Sequence, residues 1–203
     1  SGPVDTNGYL ITDLTTKKSV AVDVPYGSSS VYLDYLDDAQ SNLEQIWLTH
    51  SHWDHAAELF ELVEATRATI AVHPFDSYRI ENPSKYSLWQ LPFEIKAIQA
   101  NRFFRDDEIL TIGSLKADLL FTPGHTEGSV SFYFPHIESV FSGDSLFYES
   151  IGRTDLPGGN TEQLLESITT RLLTLPGTTN VFSGHGPETT INHEKHYNPF
   201  LTY

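Results

Sequence analysis

The sequence contains no cysteine. That excludes a disulfide framework, a thiolate nucleophile and any cysteine metal site, and it fits a reducing, cytoplasmic setting. Any metal held here must use imidazole and carboxylate, which suit zinc, iron or manganese. Basic residues are scarce: 12 Lys and Arg stand against 27 Asp and Glu, for a formal net charge of -15. Binding to a phosphate backbone needs clustered Lys and Arg, so nucleic-acid processing is not expected. No apolar run approaches the ~18 to 20 residues needed to span a bilayer, and no membrane association is expected. There is no basic start followed by an apolar core, so no secretory signal is visible. Internal repeats and low-complexity segments are absent as well.

What is there is a chain of 203 residues, which suits a single domain. Short apolar runs at Tyr9–Ile11, Val20–Val22, 45–49 and 69–72 read as strands. Helices are expected over 28–39, from Val31, Leu33, Tyr35, Leu36 and Ala39, and over 54–66. Further strands are expected at 109–112, 116–122, 129–134, 139–142 and 181–183. Helices are expected over 161–175 and 192–197. The stretch 74–105, with Pro83, Pro92 and many aromatics, reads as an insertion or lid.

The stretch LTHSHWDHAAE, Leu48 to Glu58, is dense in metal-capable side chains: His50, His52, Asp54 and His55. It sits where a strand ends. Three other strand ends show one such side chain each. LLFTPGHTEGS presents His125, SVFSGDSLF presents Asp144, and VFSGHGPETT presents His185. Singly, each reads as a loop histidine or a turn aspartate. Four together are hard to ascribe to chance. The remaining histidines, His73, His136, His193 and His196, lack such company and read as ordinary surface residues. Two divalent ions ~3.5 to 4 Å apart need two ligand sets and a bridge. His50, His52 and His125 can form one set, and Asp54, His55 and His185 the other. Asp144 can bridge.

The motifs HSHWDHA, TPGHTEGS, GDSLF, GRTDLPGG and GHGP resemble the metallo-β-lactamase fold superfamily. More narrowly they resemble the glyoxalase II-like (hydroxyacylglutathione) hydrolases of the short bacterial type. The resemblance runs from Asn7 to Phe200. It implies an α+β fold, a four-layer αββα sandwich of two mixed β-sheets packed face to face with helices outside. It also implies two divalent ions on the seven side chains above, with zinc first and iron or manganese as alternatives. The implied reaction is hydrolysis of a small-molecule thioester, S-D-lactoylglutathione or a similar acyl thiol, by hydroxide held between the ions. Asp54 would orient that hydroxide. Arg153, Tyr148 and Lys195 are candidate substrate contacts, and Trp53, Trp89, Phe147 and Tyr148 candidate pocket walls. Thr49, Ser51, Ser142 and Ser183 are candidates to support the ligands, and Arg153 and Asp155 to pair. Full-length glyoxalase II carries a helical C-terminal domain that is not expected here, and a monomer is expected. Two alternatives remain: a mononuclear iron persulfide dioxygenase, which shares the GRTD stretch, and a non-catalytic metal-binding module. True β-lactamases lack the bridging aspartate and rank below these.

Overall fold

The computed structural model describes residues 1–87 and 90–201. These fall into two compact units. The first comprises residues 1–104 and 111–115, the second residues 105–110 and 116–203. Among the described residues no helix is long and apolar enough to cross a membrane.

The first unit holds a five-stranded mixed sheet. Its strands are β1 (Tyr9–Asp13), β2 (Lys18–Val22), β3 (Asn42–Trp47), β4 (Thr69–Val72) and β5 (Arg102–Phe103), side by side in that order. β1 and β2 form an antiparallel pair, whereas β2, β3, β4 and β5 run parallel. Parallel strands are joined by crossovers, here α1 (Ser29–Asp38) and α2 (Leu59–Thr66). The helix α1 buries Tyr32 and Leu36, one turn apart. Val31, Leu33 and Tyr35, also part of the expected apolar pattern, are exposed. The core gathers Ala21, Ile46, Leu48, Leu59, Leu62, Ile70 and Val72. Each fully buried Leu or Ile is worth roughly 1.5 to 3 kcal/mol.

The helix α2 starts at Leu59, not at the expected residue 54. Backbone hydrogen bonding gives the reason. The carbonyl of His55 is taken by Val24 N at 2.7 Å, and Leu59 N donates instead to Ala56 O at 3.3 Å. Residues 53–57 are therefore turns, and they carry Asp54 and His55. The stretch 74–105 begins with a 3-10 turn (Pro74–Asp76) and two short helices, α3 (Ser77–Glu81) and α4 (Pro83–Tyr86). Residues 90–101 then reach β5 without helix or strand.

The second sheet has six strands: β6 (Ile109–Ile112), β7 (Leu115–Phe121), β8 (Val130–Phe134), β9 (Ser139–Gly143), β12 (Asn180–Ser183) and β13 (Thr189–Thr190). A two-stranded hairpin, β10 (Leu146–Phe147) and β11 (Ser150–Ile151), follows β9. β8 is antiparallel to both β7 and β9, and β12 is parallel to β9. β7, β9 and β12 therefore all point the same way. Against them lie α5 (Thr161–Ser167) and, after β13, α6 (Ile191–Tyr197). Leu164, Ile168 and Leu172 are fully buried with Val140, Leu146 and Val181.

The expected helix over 161–175 is α-helical only to Ser167. A π-turn runs over Ile168–Leu172, closed by Leu173 N to Ile168 O at 2.8 Å. Buried residues every four positions outrun an α-helix of about 3.6 residues per turn. A wider turn restores their alignment.

Candidate metal centre

In parallel sheets side chains with chemistry collect beyond the carboxyl ends of strands. In the first unit β2, β3 and β4 end on one edge. Asp23 follows β2, the stretch Leu48 to His55 follows β3, and His73 to Asp76 follow β4. Asp23 is buried with φ 61°, a left-handed turn directly after an apolar strand. Its Oδ1 accepts from Thr49 N at 2.8 Å and its Oδ2 from Thr49 Oγ1 at 2.7 Å. The same Oδ2 lies 2.8 Å from His55 Nδ1. An imidazole whose Nδ1–H donates to a carboxylate presents Nε2 as an acceptor, the tautomer a metal needs. His50 is fixed the same way. Thr49 Oγ1 spends its proton on Asp23, so it accepts from His50 Nδ1 at 3.1 Å. Thr6 Oγ1 donates to Asp54 Oδ2 at 2.7 Å and turns that carboxylate toward His55 Nε2, 3.4 Å away.

These fixed groups crowd together. The ring centroids of His50 and His52 are 4.8 Å apart, those of His50 and His55 4.1 Å. The ligand atoms of His50 and His52 lie within 4.8 Å of each other, as do those of His50 and His55, and of Asp54 and His55. Acceptor nitrogens brought this close repel one another unless a cation lies among them.

In the second unit β7, β9 and β12 end on one edge, and His125, Asp144 and His185 follow them. β9 and β12 are parallel neighbours with a register shift between Phe182 and Ser183, so Ser183 pairs with Gly143. Gly184 N then donates to Gly143 O at 2.8 Å, and Asp144 and His185 leave the sheet together. His125 donates from Nδ1 to Arg153 O at 2.7 Å, so its Nε2 is again the acceptor. Asp144 Oδ2 lies 3.4 Å from His125 Nε2 and 3.6 Å from His185 Nε2. Gly152 lets this chain close up: a Cβ there would stand 1.8 Å from Asp144 O and 3.2 Å from His125 Nδ1.

Each unit thus brings its share of the expected ligands together: His50, His52, Asp54 and His55 in the first, His125, Asp144 and His185 in the second. The supporting residues divide. Thr49 orients His50, and Ser51 is tied to Asp76. Ser183 Oγ donates to His185 O at 2.7 Å, whereas Ser142 Oγ donates to Leu146 O and supports the hairpin instead. Arg153 donates from Nε and Nη2, one edge of its guanidinium, to the two carboxylate oxygens of Asp155 at 2.7 and 2.8 Å. The guanidinium holds the Asp155 carboxyl down at about 2. Tyr148 is exposed and stacks on His193, and Lys195 is exposed on α6. Trp53 and Phe147 are partly buried; Trp53 lies 6.2 Å from Phe93 and Phe147 6.0 Å from His185, centroid to centroid. Trp89 lies outside the described residues.

His73 departs from the surface reading. It is buried, and its Nδ1 accepts from Phe75 N at 3.4 Å, capping the 3-10 turn. Asp23, Asp76 and Thr6 escaped the sequence reading. Asp23 carried a usable signal, an acid directly after an apolar strand, the same signature as Asp144. Asp76 carried none, because it follows Pro74 in a short irregular turn.

The donor set of imidazole nitrogens and carboxylate oxygens, with tautomers fixed from behind, fits divalent ions of the zinc, iron and manganese kind. The chain carries histidine and aspartate groups able to hold such ions.

Comparison with known proteins agrees. The family model described as "Metallo-beta-lactamase superfamily" matches residues 1–185. The chain is 39% identical over 201 residues to the probable metallo-hydrolase YqgX of Bacillus subtilis, covering 98% of this chain and 94% of that one. It is 35% identical over 188 residues to the hydroxyacylglutathione hydrolase GloC of Haemophilus influenzae, covering 91% and 88%. Among solved structures it is similar to BLEG-1, titled a B3 metallo-beta-lactamase. The TM-score is 0.91 and the identity 38%, over 100% of this chain and 97% of that one.

Proposed function

Since the chain belongs to the metallo-β-lactamase superfamily, we propose that this metallo-hydrolase cleaves a thioester, S-D-lactoylglutathione or a similar acyl thiol. The observation that carries the reading is the placement of Asp144. One of its carboxylate oxygens faces both His125 Nε2 and His185 Nε2 at 3.4 and 3.6 Å. A carboxylate oxygen facing two imidazole nitrogens at these distances could share a cation with either. In this reading, which the sequence motifs carry, His50, His52 and His125 would serve one divalent ion and Asp54, His55 and His185 the other, with Asp144 shared. Zinc is the first choice of metal, with iron or manganese as alternatives. The 35% identity to a hydroxyacylglutathione hydrolase supports the substrate class.

Divalent ions, when bound, supply Lewis acidity, which lowers the pKa of water from ~16 to about 7 and polarises a carbonyl oxygen. The chain's own residues supply orientation. Asp54, anchored through Oδ2 by Thr6, would orient the attacking hydroxide. Asp23 and the Arg153 carbonyl hold His55 and His125 in their liganding tautomers. A thiolate leaves readily, so no strong general acid is needed. Tyr148, Arg153 and Lys195 stand as contacts for the thiol carrier. A substrate carboxylate at Arg153 has to compete with Asp155 for the Nε–Nη2 edge of the guanidinium.

The test is loss of thioester absorbance with S-D-lactoylglutathione and metal-loaded protein. His52→Ala and Asp144→Ala each lower turnover by at least about 100-fold, since each removes a ligand outright. Wild-type turnover in both variants sinks the assignment. Oxygen uptake with glutathione persulfide by protein holding a single iron replaces it with a dioxygenase. A second reading, hydrolysis of a β-lactam amide, is favoured by the likeness to BLEG-1. Turnover of a chromogenic cephalosporin above that of the thioester would place it first.

A further inference from the structure

The segment after β4 reaches back to the ligand loop through one carboxylate. Asp76 closes the 3-10 turn and is fully buried, and Arg79 of α3 is buried beside it. Asp76 Oδ1 accepts from Arg79 Nη1 at 2.9 Å. Asp76 Oδ2 accepts from Ser51 N at 2.9 Å and lies 3.2 Å from Ser51 Oγ. The Asp76 carbonyl accepts from Ser51 Oγ at 2.6 Å. Ser51 stands between His50 and His52, whose rings meet nearly perpendicular at 88°. One side chain therefore holds the peptide that joins two ligands.

A buried ion pair repays little more than its own desolvation, so net stability is a poor account of the Asp76–Arg79 pair. Geometry is a better one. A turn about the Ser51 backbone carries the His50 and His52 rings apart, and metal sites tolerate little displacement of their donors. The other ligands of this unit have separate anchors. Asp23 holds His55, and Thr6 holds Asp54.

We propose that Asp76 is a positioning residue that sets the affinity of the ion held by His50 and His52, with Arg79 fixing Asp76 in place. The proposal rests on the metal-binding half of the function given above and is independent of the thioester. Its distinguishing consequence is asymmetry: loss of Asp76 weakens one ion and spares the other.

The experiment measures two stepwise zinc affinities of the metal-free protein by competition with a chromogenic chelator. It is run on the wild type, Asp76→Ala, Asp76→Asn and Arg79→Lys, with a thermal melt of each metal-free protein alongside. In Asp76→Ala one step weakens by about 10- to 100-fold, the scale for groups that orient metal ligands. The other step stays within about threefold on the same scale. Asp76→Asn, which keeps an oxygen for Ser51 N, falls between. The cobalt-substituted protein shows a changed visible spectrum for the weakened step only. If Asp76→Ala does not fold, Ser51→Ala supplies the comparison, because it removes two of the bonds and leaves the Asp76–Arg79 pair. The proposal is overturned if both steps keep wild-type affinity while the metal-free melt drops, or if both weaken equally. Wild-type protein that binds no zinc overturns it together with the metal reading. Absence of thioester turnover in zinc-loaded protein overturns only the substrate.

Discussion

Asp23 Oδ2 lies 2.8 Å from His55 Nδ1, in the interior of the first unit, with both side chains buried. The same carboxylate holds Thr49, which in turn orients His50. One acid thus sets the tautomers of two metal-capable histidines. Asp23→Asn keeps the volume and removes the charge, and its amide nitrogen cannot accept from an imidazole N–H. Zinc affinity, read by chelator competition, is expected to fall about 10- to 100-fold. Unchanged affinity would show that the histidines choose their tautomers without Asp23.

Gly152 is the second point of leverage. A methyl at this position meets Asp144 O at 1.8 Å, so Gly152→Ala forces the chain between Asp144 and Arg153 to move. Overpacking of this kind costs about 1 to 3 kcal/mol. For a chain of this length each kcal/mol lowers the melting temperature by about 2 to 4 °C. The melt is expected to drop by that scale, and zinc affinity with it, because Arg153 O orients His125. A lowered melt with intact zinc binding would separate the loop from the ligand it supports.

Glu194 pins the hairpin tip to the last helix. It is fully buried and accepts from Thr189 Oγ1 at 2.6 Å, Glu149 N at 3.0 Å and Asn198 Nδ2 at 2.8 Å. Glu194→Ala leaves buried donors without an acceptor, at about 1 to 3 kcal/mol for each group stranded. Hydrogen exchange at the Glu149 amide is expected to accelerate well beyond that of β8 and β9. Equal acceleration throughout the second sheet would point to global destabilisation instead.

Acid sensitivity is expected to run through Asp13. The Ser114 amide, then the Thr16 and Ser114 hydroxyls, hold its carboxyl well below the usual carboxylate range. A pKa depressed by folding gives stability that is complete above the unfolded value of about 3.9 and is lost as pH falls through the native value. Asp13→Asn should therefore be less stable than wild type at pH 7, and the gap should narrow at pH 3. Denaturant melts at both pH values check this; a gap that widens in acid contradicts it.

Strand ends were the most legible part of this molecule. Strand β4 falls where its apolar run lies, and His50, His52, His125, Asp144 and His185 each follow a strand as expected. Period-2 and buried runs are local signals. The start of α2 was not legible, because it depends on Val24 taking the His55 carbonyl from a distant stretch of chain. The hairpin β10–β11 is too short to show a period. Asp76 acts through tertiary hydrogen bonds that leave no trace in its neighbours, and the π-turn answers to packing on Leu164 and Leu172 rather than to propensity.

The most direct measurement is a titration of metal-free protein with zinc while S-D-lactoylglutathione absorbance is followed. Thioester hydrolysis at a dinuclear site predicts no turnover without metal and a rise that levels off at about two equivalents. A flat trace at every equivalent, with the protein folded and zinc bound, would contradict it.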